Sequence, residues 1–326
     1  MERERSKDVS ERLTGLVIRT QSGFFTVQTD EGPIVCQLRG KLKEEYKHSD
    51  LVAIGDRVTI ERLDIEGDLT QGVIVEVAER QRVLSRVAPR SAVGTSKERE
   101  QVIIANPDQA VFVFAAAQPS PHVRMLDRLL VAAEKAAIPE IRICVNKMDL
   151  VAKNPAPIRD LFAVYERIGY PVLYVSAKTG EGIAALHDAL VGKISVFTGP
   201  SGVGKTSLLN AIEPDLGRRV AEVSQATEKG RHTTRYSELI PLADGGYVAD
   251  TPGIRAISPW DVEPDELDAY FIEIAPHVAH CKFPDCTHTH EPDCAVREAV
   301  ARGEITEERY DSYLRLREML EEEYIY

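Results

Sequence analysis

The stretch "IRICVNKMD", residues 141–149, joins a mostly apolar run to polar residues that follow it directly. The run ends at Val145, and Asn146, Lys147 and Asp149 come next. Largely apolar runs of this length are typical of strands that are covered on both faces of a parallel sheet. The stretch therefore predicts a buried strand that presents an amide, an amine and a carboxylate at its carboxyl end.

Strand-like and helix-like segments alternate on both sides of this stretch, which predicts an α/β domain with a covered parallel sheet at residues 89–258. Helices are expected near 124–137, 157–168 and 183–190, and "YSELIPL" and "GGYVAD" predict an antiparallel strand pair. The other predicted strands are "AVFVFAAA", "YPVLYV" and "ISVFT".

The segment before this domain has a different pattern. Five short strands with turn signals occupy residues 14–80, and they predict a small β-barrel, an OB-fold, at residues 1–88. A generic β-domain that serves only as a spacer is the alternative. The alternation of Val73, Val75 and Val77 predicts one shared face.

The last segment, residues 259–326, is acidic and helical in pattern. It holds 6 Lys and Arg against 18 Asp and Glu, so it accounts for the whole net charge of −12. Helices are predicted in "PDELDAYFIEIA", in "CAVREAVARG" and from about residue 306, with Arg315 and Arg317 on a solvated face. Charge asymmetry of this kind indicates that the segments have different partners.

Composition sets the class of protein. A chain of 326 residues suits two or three domains. Its charged first residues do not resemble a signal peptide, and no apolar run approaches the ~18 residues of a membrane span. We expect a cytoplasmic monomer without a membrane segment. Cys36 and Cys144 lie in apolar runs and are expected to be buried, reduced side chains.

A phosphate-binding loop is predicted at "GPSGVGKT", residues 199–206, which fits the pattern G-x-x-x-x-G-K-S/T between a strand and a helix. Its glycines let backbone N–H groups face phosphate oxygens at a helix N-terminus. Lys205 is expected to reach the β- and γ-phosphates, and Thr206 to ligate Mg²⁺. The candidate nucleotide-binding residues here are Gly199, Pro200, Ser201, Gly202, Val203, Gly204, Lys205, Thr206 and Ser207.

Two further segments are candidates for contacts with Mg²⁺ and the γ-phosphate. "DTPG", residues 250–253, follows an apolar strand, so Asp250 is expected to hold Mg²⁺ and the Gly253 N–H to meet the γ-phosphate. "KGRHTTR", residues 229–235, is polar and lies where a mobile switch is expected. Either Thr233 or Thr234 can complete the Mg²⁺ shell there, and we assign Thr234.

The opening stretch supplies the contacts for the base. Asp149 can accept hydrogen bonds from the N1 and N2 protons of guanine, which adenine does not offer as a pair. Asn146 can contact N7, and the Lys147 stem can lie along the base or ribose. "SAK", comprising Ser176, Ala177 and Lys178, follows another predicted strand and can offer the Ala177 N–H to guanine O6.

The order of these motifs is unusual. Ordinary Ras-like GTPases begin with the phosphate loop and end with the guanine loops, whereas here the guanine loops come first. The same order results if the original termini of the domain are joined and new termini are opened elsewhere. Such a permutation is physically reasonable, because the termini of a domain often lie close together. The sequence predicts a circularly permuted GTPase domain whose "DTPG" segment joins the C-terminal domain directly.

"CKFPDCTHTHEPDC", residues 281–294, predicts a structural zinc site. Cys281, Cys286 and Cys294 supply three thiolates, and His288 or His290 supplies an imidazole. Four such ligands suit tetrahedral Zn²⁺ and leave no open position for catalysis. The alternative is three reduced cysteines that pack near each other.

Taken in order, the barrel, "NKMD", "SAKTGEG", "GPSGVGKTS", "GRHTT", "DTPGIR" and "CKFPDCTHTHEPDCAV" resemble the RsgA (YjeQ/YloQ) family of circularly permuted GTPases over essentially the whole chain. The resemblance implies GTP hydrolysis, with GDP as product, in maturation of the small ribosomal subunit, with contacts to 16S-type rRNA and ribosomal proteins. It implies subunit-stimulated hydrolysis coupled to release. It also favours His288 over His290, giving one structural Zn²⁺ per chain beside the Mg²⁺ that accompanies GTP.

One position bears on catalysis. Many GTPases carry glutamine just after the DxxG motif to orient the attacking water, and this chain has Ile254 there. Slow intrinsic turnover is therefore expected, and His232 in the predicted switch is the candidate catalytic residue. Arg231 and Arg235 are candidates for charge stabilisation.

Two other functions remain open from the residues. One is an RNA-binding module that is switched by nucleotide and hydrolyses it only marginally, with Arg39, Lys41 and Lys43 as candidate phosphate contacts. The other is a P-loop kinase, which has no need for the "NKMD" and "SAK" motifs.

Overall fold

The computed structural model describes residues 12–40, 51–65, 68–87, 100–214, 216–217, 236–250 and 262–324. Lys41 and Lys43 therefore lie outside the described residues. The domain boundaries given above, after residues 88 and 258, stay predictions.

A closed five-stranded barrel forms the first part of the described chain. Neighbouring strands pair in the order β1-β2-β3-β5-β4, and β4 pairs back to β1 to close it. The pair β3 and β5 is parallel, which completes the OB-fold topology predicted from the sequence. The strands are β1 (Arg12–Gln21), β2 (Phe24–Thr29), β3 (Gly32–Leu38), β4 (Arg57–Ile65) and β5 (Asp68–Val77).

A β-bulge corrects the predicted shared face of Val73, Val75 and Val77. Thr59 pairs with Glu76, but the next residue of β4, Ile60, pairs with Ile74, so β5 holds one extra residue. An extra residue reverses which face the following side chains occupy. Val77 consequently packs into the barrel core with the buried Ile74.

A six-stranded α/β sheet follows, with β11 near its middle. The order is β10-β9-β8-β11-β13-β12, and every neighbouring pair is parallel except β12 with β13. The strands are β8 (Gln109–Ala115), β9 (Glu140–Asn146), β10 (Val172–Tyr174), β11 (Ile194–Thr198), β12 (Tyr236–Pro241) and β13 (Tyr247–Asp250). An antiparallel ribbon of β6 (Val83–Val87) and β7 (Glu100–Ala105), which the sequence analysis missed, precedes them.

Helices cover both faces of this sheet, as predicted. Every residue of β8 is buried, with Phe112 in one core cluster and Val111 in the other. Leu126 packs with Phe112, and Leu208 packs on the Val111 side. The helices are α1 (Val123–Lys135), α2 (Ala156–Ile168), α3 (Ile183–Leu190) and α4 (Lys205–Ile212).

The last residues of β1 join the barrel to the edge strand of the α/β sheet. Strand β1 pairs with β12 in antiparallel register, with Arg19 opposite Glu238. Leu16 and Ile54 of the barrel belong to the same core cluster as Phe112 of the α/β sheet. This contact was not predicted from the sequence, because the pattern of β1 or of β12 does not indicate which strand it pairs with.

The C-terminal part is helical, but two predictions about it were wrong. The helix expected over 264–275 is a 3-10 helix, Pro264–Tyr270, followed by a separate short helix, α5 (Ala275–Val278). Pro276 cannot donate the backbone hydrogen bond that a continuous helix requires. The remaining helices are α6 (Ala295–Ala301) and α7 (Glu307–Tyr324).

The second error concerns the solvated face of α7. Arg315 is exposed and pairs with Asp311, as expected. Arg317 is buried, and its guanidinium donates to the Pro264 carbonyl at 2.6 Å and to Asp265 at 2.8 Å. Among the described residues, the helices include none that is long and apolar enough to cross a membrane.

Candidate nucleotide site and metal centre

The phosphate loop lies where β11 ends and α4 begins. Thr198 closes the strand, and Lys205 opens the helix after six residues of loop. Gly202 and Gly204 have φ values of 79° and 92°, a region that favours glycine. The loop therefore curls in front of the α4 N-terminus, where the helix dipole favours phosphate.

Two glycines of this loop are also required by close neighbours. A Cβ on Gly199 would lie 2.0 Å from the Val113 carbonyl oxygen of β8. A Cβ on Gly204 would lie 2.5 Å from Nδ2 of Asn146. The loop consequently depends on glycine to pack against both β8 and the guanine loop.

We expect Gly204→Ala to weaken GDP binding by about 10-fold or more, because backbone strain adds to displacement of the Asn146 amide. Isothermal titration with GDP measures this. Gly303→Ala is the matched control, since Gly303 has a φ of 74° and an added Cβ there meets nothing within 4 Å. Equal affinities for the Gly204 variant and the control variant would contradict the packing argument.

The predicted guanine loop is hydrogen-bonded to the phosphate loop. Nδ2 of the buried Asn146 donates to the Val203 carbonyl at 2.9 Å, and its Oδ1 accepts from the Ala177 N–H at 3.2 Å. Nζ of Lys147 donates to the Gly202 carbonyl at 2.6 Å. Asn146 thus ties together all three loops that were predicted separately.

Asp149 is oriented by its neighbour in the third loop. The hydroxyl of buried Ser176 donates to Oδ1 of Asp149 at 2.8 Å, and Nζ of Lys178 lies 4.0 Å from Oδ2. The Asp149 side chain keeps 14% of its surface exposed, so its carboxylate stays accessible to a ligand. This geometry suits a carboxylate that accepts from paired donors on a base.

The phosphate end of the site is cationic. Nζ of Lys205 donates to the carbonyls of Gly199 and Pro200 at 2.6 and 2.8 Å. Thr206 and Ser207 are exposed in the first turn of α4. An ammonium and hydroxyls at a helix N-terminus can together bind phosphates and a phosphate-bound cation.

The switch residues stay predictions. His232, Thr233, Thr234, Gly253 and Ile254 lie outside the described residues, as do Arg231 and Arg235. The Asp250 backbone ends β13 beside the phosphate-loop strand, with Ala249 paired to Val196, and its side chain is outside the description. Of the predicted Mg²⁺ ligands, the side chain of Thr206 alone is in the described part of the chain.

The Cys/His cluster has the geometry of a tetrahedral metal site. The ligand atoms of Cys281, Cys286, His288 and Cys294 all lie within 4.8 Å of one another. Nδ1 of His288 is 3.5 Å from Sγ of both Cys281 and Cys294, which are 3.9 Å apart. Tetrahedral Zn²⁺ with ordinary bond lengths places S and N about 3.5 Å apart and two S atoms about 3.8 Å apart. The four residues therefore fit this metal.

The structure distinguishes the two candidate histidines. His288 is fully buried, with Nε2 3.1 Å from Oδ2 of Asp268, whereas the exposed His290 contacts Thr289. A carboxylate on the far nitrogen fixes the orientation of a metal-ligating imidazole. Burial raises the pKa of Cys286, and a cation beside the cluster would favour its thiolate form.

Comparison with known proteins identifies the family. Residues 77–260 match the family described as RsgA GTPase, and residues 14–74 match the RsgA N-terminal domain. The chain belongs to the RsgA GTPase family. Membership confirms the resemblance drawn from the motif order and makes the chain a GTPase.

Relatives in the RsgA family are similar over nearly their whole length. The small ribosomal subunit biogenesis GTPase RsgA of Gemmatimonas aurantiaca is 44% identical and covers 94% of this chain and 97% of its own. The relative of the same name from Caldanaerobacter subterraneus is 39% identical over 96% and 98%.

Two solved RsgA-family structures share the fold. YjeQ from Thermotoga maritima superimposes with a TM-score of 0.76 at 37% identity, covering 95% of this chain and 99% of that one. YloQ, described as a circularly permuted GTPase, gives 0.73 at 31% identity and covers 98% of both chains. The permuted order predicted from the loops is confirmed.

The structure adds contacts that the RsgA motifs did not indicate. Nζ of Lys147 donates a second hydrogen bond, and its acceptor is the carbonyl of Gln118 in the loop after β8. Asp268 supports His288 from 20 residues away in sequence. Both come from positions without a motif, although "QPSP", residues 118–121, contains two prolines, which are turn-forming residues.

Burial of the two isolated cysteines is confirmed. Cys36 lies in the barrel core, and Cys144 lies in β9 and belongs to a core cluster of the α/β domain. Burial raises the pKa of both thiols to about 12, so neither is a reactive thiolate.

Proposed function

We propose that this chain is a maturation factor of the small ribosomal subunit. It binds GTP, associates with the subunit through rRNA and ribosomal proteins, and leaves after hydrolysis that the subunit stimulates. The observation that carries the proposal is a set of three guanine nucleotide loops in permuted order, in a chain whose relatives are named small ribosomal subunit biogenesis GTPases. Localisation in the cytoplasm and a monomeric state belong to the same proposal.

Each loop has one role in this proposal. Asp149 selects guanine, and the Ala177 N–H, which donates to Oδ1 of Asn146 at 3.2 Å, is shared with guanine O6 when the base is bound. Asn146 and Lys147 hold the base loops to the phosphate loop. Lys205 neutralises the β- and γ-phosphates. Mg²⁺ is held by Thr206, Thr234 and Asp250 and supplies charge neutralisation at the phosphates.

Zinc in the C-terminal domain has a structural role. Cys281, Cys286, His288 and Cys294 hold it, and the Asp268 carboxylate orients His288. Four protein ligands leave no position for a reacting water, so the metal would stabilise the fold of this domain and would not act on GTP.

Charge suggests how the subunit is approached. The excess of 12 negative charges lies at residues 259–326, so that domain suits basic ribosomal proteins. The barrel is the better candidate for RNA, because residues 1–88 hold 14 Lys and Arg against 16 Asp and Glu and so are close to neutral. An OB-fold also offers a strand face and loops to single strands. Arg39 at its surface pairs with Glu61 in the described structure.

We expect His232→Ala to lower subunit-stimulated hydrolysis by roughly 10²–10⁴-fold, the range for a lost general base or water-positioning group. GDP affinity should stay within about twofold of wild type, since the histidine is assigned to the water and not to the base. Phosphate release with and without small subunits measures the first, and fluorescent GDP titration the second. His187→Ala, on α3, is the control.

Unstimulated turnover is expected at about 10⁻⁴ to 10⁻³ s⁻¹, since Ile254 cannot orient water. A many-fold rise on adding small subunits supports the enzyme proposal. Ile254 also favours a second candidate function, an RNA-binding module that GTP switches while hydrolysis stays marginal. GTP-dependent subunit binding without any rise in turnover would establish that second function in place of the first.

A further inference from the structure

Helix α1 is shared between the GTPase core and the C-terminal domain. Leu126 and Leu130 on one face pack in the core of the α/β sheet. Asp127, Val131 and Lys135 follow at four-residue spacing on another face. Val131 is fully buried in the core of the C-terminal domain, and Lys135 pairs with Glu266 there at 2.5 Å. The helix is therefore fixed from both sides.

A buried ionic bridge lies at the centre of the second face. Nη1 of Arg309, on α7, is 2.5 Å from Oδ1 of Asp127, and its Nε is 2.6 Å from Oε1 of Glu273. The three side chains are exposed by only 2%, 4% and 6%. Tyr165 on α2 and Ser312 on α7 also donate to the Asp127 carboxylate.

The bridge depends on all of its members. Burial alone would lower the pKa of Arg309, but the charges of Asp127 and Glu273 outweigh it and raise that pKa. The guanidinium also lies over the ring of Phe271, 4.6 Å from its centroid. Removal of one partner would leave a buried charge without compensation. The bridge therefore holds α1 in one defined position against α7.

The start of α1 lies beside the nucleotide site. The loop that runs from β8 into α1 contains Gln118, whose carbonyl accepts from Nζ of Lys147. The same Nζ donates to Gly202 of the phosphate loop at 2.6 Å. A shift of α1 along or away from the sheet would move this carbonyl relative to Lys147.

The C-terminal domain holds this end of α1 at few points. A cavity of about 860 Å³ separates the loop and the first turn of α1 from Leu316 and Met319 of α7. Across its rim, Arg124 reaches Asp311 in an exposed pair at 3.4 Å. Asp127, which carries the buried bridge, lies only four residues after Val123, the first residue of α1.

We propose that Arg309 is a positioning residue for guanine nucleotide binding, acting through Asp127, helix α1 and the Gln118 carbonyl on Lys147. The inference rests on the proposed role of Lys147 in the nucleotide site. It gives the C-terminal domain a connection to that site in addition to the chain that follows Asp250. The C-terminal domain, which lies outside the predicted nucleotide loops, thereby adjusts nucleotide affinity.

The test is GDP affinity, measured by fluorescent GDP titration of the zinc-loaded full chain without ribosomal subunits. We expect Arg309→Gln to weaken GDP binding by about 3- to 30-fold, the range for mutations that couple distant sites. Arg315→Gln is the matched control, because Arg315 is on the same helix in an exposed pair and should bind GDP within about twofold of wild type. Wild-type affinity in Arg309→Gln would overturn the inference.

A double-mutant cycle separates positioning from general damage. Lys147→Met should weaken GDP binding by itself, and adding Arg309→Gln to it should change affinity by less than about twofold. If Arg309→Gln keeps its full effect in the Lys147→Met background, the route through Lys147 is wrong. If Arg309→Gln does not fold, Asp127→Asn, which is nearly isosteric, takes its place in the same cycle.

The same data distinguish this inference from the assignment of the site. Wild-type affinity in Lys147→Met alone would refute the proposed role of Lys147, and the inference with it. A loss of affinity in Lys147→Met, combined with wild-type affinity in both Arg309→Gln and Asp127→Asn, would refute the inference and leave the site assignment in place.

Discussion

Replacement of Asp149 by asparagine is expected to lower the affinity for GDP on the order of 10³-fold and to favour xanthosine nucleotides, because the amide turns a donor toward donors. Guanine offers two N–H groups to the carboxylate, whereas xanthine has a carbonyl at the second position. Ser176 orients Oδ1 at 2.8 Å, so an asparagine in the same place should present its nitrogen to the base.

Competition of GDP and xanthosine diphosphate for a fluorescent nucleotide measures this change. The Asp149→Asn variant should reverse the wild-type preference. Asp160→Asn, at an exposed position on α2, is the control and should keep the preference for GDP. If Asp149→Asn binds GDP as tightly as wild type, the carboxylate does not contact the base, and the guanine loop has been assigned incorrectly.

Removal of the buried zinc histidine is the second large effect. We expect His288→Ala to lose bound zinc and to unfold the C-terminal region, since metal binding contributes about 10–16 kcal/mol in small structural zinc sites. Two tyrosines of α7 depend on the same loop, because Tyr310 donates to the His288 carbonyl at 2.6 Å and Tyr313 to that of Thr287 at 3.0 Å. Loss of the metal should therefore expose α7 as well.

Metal analysis and thermal unfolding test this prediction on the purified chain. Wild type should carry one zinc per chain and His288→Ala close to none. His290→Ala is the matched control, as the neighbouring histidine is exposed and contacts Thr289. If His290→Ala loses the metal while His288→Ala keeps it, the ligand set is wrong.

The nucleotide loops could be predicted from sequence because each motif stands at the end of a strand that the sequence pattern also predicts. Asn146 ends β9, Ser176 comes two residues after β10 and Gly199 follows β11 directly, and the carboxyl ends of parallel strands meet at one edge of a sheet. A motif at a strand end therefore fixes both the residue type and its place. The spacing of the zinc cluster identified its three cysteines, whereas His288 was favoured over His290 only by the family resemblance.

Other features had no such local signal. The extra residue of β5 became visible only through the pairing of Ile60 with Ile74, which pattern alone does not determine. Asp127 and Arg309 are 182 positions apart, and each by itself resembles an ordinary charged residue on a helix. Their burial is a property of tertiary packing, so the shared role of α1 could not be derived from the sequence.

In the permuted order, neighbouring strands connect the GTPase domain to both other domains. Strand β12 pairs with β1 of the barrel, and the C-terminal domain follows β13 in the sequence. Both proposed subunit-binding domains are thus joined directly to the GTPase domain.

The central claim is that the nucleotide state governs residence on the small ribosomal subunit. Co-sedimentation of the chain with small subunits, in a non-hydrolysable GTP analogue, in GTP and in GDP, tests it most directly. The account predicts stable association with the analogue, loss of association in GTP at the rate of phosphate release, and weak association in GDP. Equal association in the analogue and in GDP would contradict it.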